Sequence, residues 1–172
     1  MSEEVNDKLK PVGFNLTVGT KKQLYKIAAF LHTKRTNAVV KLFELLFSDL
    51  VNDKKFKEFL DAYDRIERTM EDKSSYTSFY LTQGNLKKFE DIMFDFDFID
   101  RSPFLRLIID YVYNHKVKPI DENIIPKVQN DLAGLGYKID KIVPIFDGKI
   151  CILIDTPSTE SGKSKTGRKK AG

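Results

Sequence analysis

The residues of this 172-residue chain with the clearest chemical potential are cations placed to bind phosphate. Eight Lys and Arg residues lie between Lys8 and Lys41, a segment that contains no Asp or Glu. They are Lys8, Lys10, Lys21, Lys22, Lys26, Lys34, Arg35 and Lys41. Five of the 29 basic and one of the 25 acidic residues lie in the tail from Thr156, which leaves 24 of each elsewhere. A one-signed segment in a balanced chain is typical of a surface that faces phosphate.

Other chemistry is not predicted. His32 and His115 lie far apart and lack the Cys/His companions of a zinc site. Asp95 and Asp97 form a carboxylate pair without a metal-binding loop around them. The segment SGKS lacks the earlier glycine of a phosphate-binding loop, because that position is Pro157. We therefore expect no enzyme activity, no cofactor and no metal.

The location in the cell is predicted from three further features. A single cysteine, Cys151, excludes an internal disulfide and favours a reducing compartment. The first ten residues, MSEEVNDKLK, contain no apolar run of a secretory signal. No apolar stretch reaches the roughly 18 residues that a membrane span needs. We expect a cytoplasmic protein that makes no contact with a membrane.

The elements that position the cations occur twice. FNLTVGTKKQLYKI begins at Phe14, and the similar FYLTQGNLKKFEDI begins at Phe79. In each copy apolar residues first alternate, as in a half-buried strand, and then recur at helical spacing. A short break follows in each copy, and a second helix is predicted after it. The predicted N-cap of that helix is Thr36 in the first copy and Ser102 in the second, where Pro103 takes the first helical position. Each unit is therefore predicted to be strand, helix, helix.

One such unit cannot bury its own core, because a single strand leaves its backbone groups unpaired. Two units solve this by pairing their strands into an antiparallel ribbon above four helices. The predicted fold is α+β, with copies at 10–51 and 76–113 joined by a helical linker, 52–75, inside a domain spanning 8–115. A small C-terminal α-β-β element, 116–155, is predicted from a cap at Asn123 and a hairpin turn at Asp147-Gly148. The basic tail, 156–172, is predicted to be disordered.

The second helices open with RTNAVVKLF and RSPFLRLII, and the alternating strand of the first copy is PVGFNLT. These segments resemble the ribbon-helix-helix (MetJ/Arc) family of DNA-binding proteins. The resemblance covers about half of the chain and implies an intramolecular pseudo-dimer whose β-ribbon enters the DNA major groove. It assigns base reading to Asn15, Thr17, Ser78, Tyr80 and Thr82. It assigns phosphate binding to Lys10, Lys21, Lys22, Arg35, Thr36, Asn37, Arg101 and Ser102.

Two departures from the family pattern modify this expectation. None of the outward strand positions is Arg or Lys, so guanine contacts are disfavoured. The first helix of the second copy and the loop after it are acidic, with Glu90, Asp91, Asp95, Asp97 and Asp100. We therefore expect the first copy to contribute more DNA affinity, and the acidic second copy to be available to a protein partner.

The predicted function is sequence-specific binding of double-stranded DNA, either as a transcriptional regulator or as an accessory factor on plasmid or viral DNA in conjugation or partition. Self-association is assigned to the C-terminal element. The alternative is a protein-interaction adaptor that keeps the fold and has lost DNA binding. The acid-free segment from Lys8 to Lys41 favours DNA.

Overall fold

A computed structural model describes residues 8–63, 74–144 and 150–155 of the chain. It has an α+β architecture in which two β-α-α units share one core. The first unit and the linker helix comprise β1 Lys10–Thr17, α1 Val18–Phe30, α2 Arg35–Ser48 and α3 Lys54–Tyr63. The second unit comprises β2 Ser74–Leu81, α4 Gln83–Asp95 and α5 Arg101–Val112. The C-terminal part comprises α6 Ile125–Gly134, β3 Lys138–Pro144 and β4 Ile150–Asp155.

The two repeated strands pair with each other, as the sequence predicts. β1 and β2 form an antiparallel two-stranded sheet, in which Gly13 lies opposite Ser78 and Asn15 opposite Tyr76. β2 begins at Ser74, two residues before the predicted start of its copy. Apolar side chains of both strands are buried on one face, while the other face is largely exposed. The ribbon therefore has a core side and an outward side.

The first helix of each unit begins directly after its strand. Thr17 is the N-cap of α1 and accepts a hydrogen bond from the backbone N–H of Thr20 at 3.1 Å. Thr82 is the N-cap of α4 and accepts from the N–H of Asn85 at 3.2 Å. These hydroxyls satisfy backbone donors that the first turn of a helix leaves unpaired. The repeated threonine therefore joins strand to helix in both copies.

The second helices begin earlier than predicted. α2 starts at Arg35 after Lys34, and α5 starts at Arg101 after Asp100, with no side-chain cap at either helix. The prediction that Thr36 and Ser102 are N-caps is therefore wrong, because both lie inside the first turn. Pro103 is the third helical residue rather than the first, and its missing N–H still falls among the unpaired donors of that turn.

Phenylalanine rings from both copies form the centre of the core. The rings of Phe43 on α2 and Phe89 on α4 are stacked with centroids 4.4 Å apart. Phe14 of β1 lies 5.9 Å from Phe79 of β2 and 6.2 Å from Phe89. All four side chains are buried. Because each ring contacts a ring of the other copy, neither unit can form this core alone.

The described part of the predicted helical linker is α3, and residues 64–73 of the linker lie outside the described residues. α3 packs on α5 through Phe56, whose ring centroid is 5.0 Å from that of Tyr111. Tyr111 donates a hydrogen bond to Asp53 at 2.9 Å. Burial, together with this bond to a carboxylate, raises the pKa of Tyr111 to about 12. The hydrogen bond and the ring contact together hold the segment at the start of α3 against α5.

The C-terminal part continues the helical path of α5. The backbone stays helical from Arg101 to Gly134 and passes through π-turns at Tyr113–Val117 and Ile120–Ile124. The predicted N-cap at Asn123 is therefore wrong, because this residue lies within a π-turn of the continuous helical path. β3 and β4 form the predicted antiparallel hairpin, whose turn at Asp147-Gly148 lies outside the described residues. The predicted disordered tail, 156–172, also lies outside them.

Truncation of the shared aromatic core should destabilise the whole fold. Phe89→Ala removes a buried ring that contacts three others, so we expect a loss of about 3–5 kcal/mol in the free energy of unfolding, measured by urea denaturation. Phe94→Ala on the same helix is the matched control, because Phe94 is 58% exposed and should cost less than about 0.5 kcal/mol. Equal losses would contradict a core shared between the copies.

Loss of the threonine caps should also destabilise the protein. Thr17→Ala and Thr82→Ala each leave a backbone N–H without its side-chain acceptor, and each should cost about 1 kcal/mol of unfolding free energy in thermal denaturation. Thr17→Ser and Thr82→Ser keep the hydroxyl and should stay close to the wild-type value. A loss of similar size in the serine variants would show that the threonine methyl groups, rather than the caps, matter.

Candidate nucleic-acid interface

The outward face of the ribbon is uncharged. It consists of alternate residues of the two strands: Pro11, Gly13, Asn15, Thr17, Ser74, Tyr76, Ser78 and Tyr80. We call this surface the ribbon face. Asn15, Ser78 and Tyr80, three of the predicted base-reading residues, are exposed on it. The ribbon face therefore offers amide, hydroxyl and aromatic groups to a ligand.

The β1 edge of the ribbon is joined to the N-terminal turn of α5. The backbone N–H of Asn15 donates to the Ser102 hydroxyl at 2.9 Å, and Arg106 donates to the Asn15 carbonyl at 3.1 Å. Edge groups of a ribbon otherwise have only water as partner. These two contacts fix the position of α5 relative to the strand, and they place two side chains of the RSPFLR segment beside the ribbon face.

An open cleft of about 360 Å³ lies at this edge. Its lining includes Asn15, Arg101, Ser102 and Arg106. Asp100 also lines this cleft, and Arg101 forms an ion pair with Glu90 at 3.4 Å. Two guanidinium groups at a helix N-terminus attract an anion, but the neighbouring carboxylates offset part of that attraction. The cleft is therefore suited to a phosphate group and has little excess positive charge.

Cations also lie at the other sides of the ribbon face. Lys21 donates to the Ser75 hydroxyl at one end, and Lys10 donates to Gln83 at the other end at 3.3 Å. A second cleft of about 280 Å³ at the Lys10 end is lined in part by Arg101. α2 packs against β2. Basic residues thus border the uncharged face at both ends and at the β1 edge.

The N-terminal turn of α2 contains no carboxylate, unlike the start of α5. Arg35 lies over the ring of Tyr25 at 4.8 Å from its centroid, which restrains the guanidinium near the helix end. Thr36 is half-buried and Asn37 is exposed in the same turn. Lys22 is exposed on α1. The predicted phosphate-binding residues of the first copy are therefore at or near the surface.

The eight cations of the acid-free segment do not all border the ribbon face. Lys26 donates a hydrogen bond to the phenol oxygen of Tyr113 at 2.8 Å, in the π-turn that follows α5. This bond and the attraction of the same phenol raise the pKa of Lys26 above its ordinary value. Lys26 therefore contributes to the contact between α1 and the second copy, a structural role that the charge pattern did not predict.

Thr17 and Thr82 differ from the other predicted base-reading residues. Their hydroxyls accept hydrogen bonds from helix N-termini, and Thr17 also pairs with the Thr20 hydroxyl at 2.9 Å. Both side chains are half-buried. A base contact from either residue would compete with its role as a cap, so the ribbon face depends on the remaining side chains.

Tyr76 and Arg106 belong to this surface and were missed by the sequence analysis. Tyr76 lies on the ribbon face and is 70% exposed. The alternation that placed Ser78 and Tyr80 outward reaches Tyr76 when it is extended by two residues. Arg106 follows Ser102 by four residues, a spacing that places both on one helix face. Both signals were present in the sequence.

Two other kinds of site are absent from the described ranges. These residues contain no group of three or more His, Cys, Asp or Glu placed to hold a metal ion. Within the same ranges no helix combines the length and the apolar character needed to cross a membrane. The ribbon face and its basic border are therefore the surface from which we argue a function.

Comparisons with known proteins add no assignment to this surface. Neither protein-family models, nor curated proteins, nor solved structures gave a match to the chain. What the ribbon face binds must be inferred from the charge, exposure and geometry of its own residues.

Proposed function

We propose that the chain is a tandem ribbon-helix-helix protein that binds double-stranded DNA sequence-specifically, with the ribbon face in the major groove. One observation carries the proposal: an exposed, uncharged two-stranded ribbon whose borders are basic. Base edges in a groove are uncharged and are flanked by two phosphate backbones. The charge pattern of this surface is complementary to that arrangement.

The dimensions support the same proposal. Paired strands lie about 4.8 Å apart, and the major groove, about 12 Å wide, admits a two-stranded ribbon. Side chains of the ribbon face then meet base edges, while the N-termini of α2 and α5 lie toward the phosphates on either side. Helix N-termini attract anions through unpaired N–H groups and the helix dipole. Arg35, Arg101 and Arg106 strengthen this attraction.

The two copies contribute unequally in this proposal. At the α5 edge, Asp100 and Glu90 offset the charge of Arg101. In the first copy Lys21 reaches the end of β2, whereas Lys88 of the second copy lies over the Phe47 ring at 4.5 Å from its centroid and is directed toward α2. We infer that the first copy supplies most of the phosphate contacts.

An interaction adaptor is the second candidate function, and one feature of the second copy favours it. Phe94 and Ile99 are 58% and 86% exposed at the end of α4 and in the loop that follows. Asp91, Asp95 and Asp97 lie on the same segment and are exposed. Apolar side chains among carboxylates fit a basic, partly apolar segment of another protein. These residues belong to α4 and its following loop and are not part of the ribbon face, so the two functions are compatible.

Self-association through the C-terminal part is a further element of the proposal. No side chain of α6 is fully buried, and Ile125, Val128 and Leu132, which lie along one stripe of it, are half-buried. A second copy of the chain would cover this stripe and place two ribbons on one DNA site, which lengthens the sequence that is read. The molar mass measured by light scattering, with and without DNA, tests this element.

Duplex binding and its salt dependence test the main proposal. We expect a selected duplex to bind more tightly than random DNA, with an affinity that falls steeply between about 50 and 200 mM salt, measured by fluorescence anisotropy. Arg106→Gln and Arg101→Gln should weaken binding to both duplexes and lower the salt slope by about 0.9 for each lost phosphate contact.

Lys127→Gln on α6 is the matched control, because Lys127 is exposed and lies outside the ribbon border. Circular dichroism of each variant checks that the fold is kept. If the wild-type protein bound no duplex at low salt, the DNA proposal would fall and the adaptor would remain.

Charge reversal on the two first helices tests the inequality of the copies. Lys21→Glu with Lys22→Glu should weaken DNA binding several-fold more than Lys87→Glu with Lys88→Glu, since Lys21 reaches the ribbon end whereas Lys88 is directed toward α2. Both double variants change the net charge equally, so non-specific attraction is matched. Equal losses in the anisotropy titrations would refute the inequality.

A further inference from the structure

The ribbon face has two large aromatic side chains in the positions that would meet bases. Tyr76 is 70% exposed and Tyr80 is 56% exposed, although most aromatic residues of the described chain pack in the core or partly against it. Both belong to β2, where Tyr76 lies opposite Asn15 and Tyr80 opposite Pro11. Exposed aromatic rings on a surface are characteristic of a contact site.

Gly13 determines where the Tyr76 ring lies. A Cβ built on Gly13 would overlap the Cζ and hydroxyl of Tyr76, so the ring extends diagonally over the glycine. Gly13 lies opposite Ser78 at the middle of the paired strands. The centre of the ribbon face is therefore covered by a phenol ring, which any longer residue at position 13 would displace.

The chemistry of the face limits the bases that it can read. Guanine is commonly read by Arg or Lys and cytosine by Asp or Glu, and none of these residues occurs on the ribbon face. Asn15 has the amide that pairs with adenine at N6 and N7, and apolar surface contacts the thymine methyl group. Asn15 and Tyr76 form one cross-strand pair, so neighbouring side chains offer contacts for both halves of an A·T pair.

We propose that the ribbon face selects A·T base pairs, with the Asn15 amide on adenine and the rings of Tyr76 and Tyr80 against thymine methyl groups. This inference rests on the proposed function and names the class of DNA sequence that is bound. In this proposal the rings of Tyr76 and Tyr80 and the amide of Asn15 determine which sequence is bound, and the basic border of the ribbon face supplies affinity.

Single-stranded nucleic acid is the competing ligand, because aromatic rings also stack on unpaired bases. The position of the Tyr76 ring favours the duplex. The hydroxyl end of the ring lies against the backbone at Gly13, which takes up part of the surface that stacking would use. The ribbon face is also bordered by cations on opposite sides, as a groove with two phosphate backbones requires.

Selection followed by removal of thymine methyl groups tests the inference. The full-length protein is used to select duplexes from a library with a randomised centre, and we expect A·T pairs to be enriched at the contacted positions. The selected duplex is then made with deoxyuridine in place of thymidine, which keeps base pairing and removes only the methyl group. We expect binding to weaken about fourfold for each contacted methyl, with an unchanged salt slope.

Variants assign the effect to the ring. Tyr76→Ser should lower the thymidine-to-deoxyuridine affinity ratio, whereas Tyr76→Phe keeps the ring and should preserve it. Gly13→Ala, which pushes the ring off the centre, should lower the ratio as Tyr76→Ser does. Tyr137→Ser, which removes an exposed tyrosine ring that is not part of the ribbon face, is the matched control and should leave the ratio unchanged.

The outcomes separate this inference from the proposed function. Equal affinity for thymidine and deoxyuridine duplexes, or selection of G·C-centred sites, would overturn the inference and leave DNA binding intact. Tighter binding to single strands than to duplexes would overturn it in favour of base stacking. Failure to bind any nucleic acid would overturn both.

Discussion

Pairing of β1 with β2 is the interaction on which the rest of the structure depends. Neither strand has another partner within the described residues, and the phenylalanine cluster beneath them draws rings from both copies. The same pairing creates the ribbon face by placing the polar residues of both strands on one side. A loss of pairing would remove the core and the candidate binding surface together. Stability and the proposed function therefore share one physical origin.

The second copy is bound to the first through polar contacts as well as through the core. Ser102 and Arg106 of α5 satisfy the backbone of Asn15 in β1. These bonds use side chains that the DNA proposal also needs at the edge of the groove. A phosphate in this cleft would meet groups already held in place by the fold, and little conformational entropy would be lost on binding.

The two copies share a fold and have diverged in charge. The first copy keeps cations without carboxylates from Lys8 to Lys41, while α4 and its following loop carry a run of acids beside exposed Phe94 and Ile99. A tandem chain permits this division, because a substitution in one copy leaves the other copy unchanged. In a dimer of identical subunits, every substitution would occur in both. We infer that one half is adapted to phosphate and the other to a protein or to solvent.

The sequence by itself determined the strand-helix-helix repeat and the outward placement of Asn15, Ser78 and Tyr80, because hydrophobic periodicity is a local property. It also determined the antiparallel ribbon, because the strand of one unit needs the strand of the other to pair its backbone groups. It did not determine the start of α5, because the Ser102 hydroxyl accepts from the Asn15 backbone N–H and does not cap its own helix. Nor did it place the Tyr76 ring over Gly13, since that contact joins residues 63 positions apart that only the strand register brings together. The continuation of α5 through two π-turns was missed for a related reason. Packing of Tyr113, Val117 and Ile120 against the body favours helix there over the break that the local residues predicted.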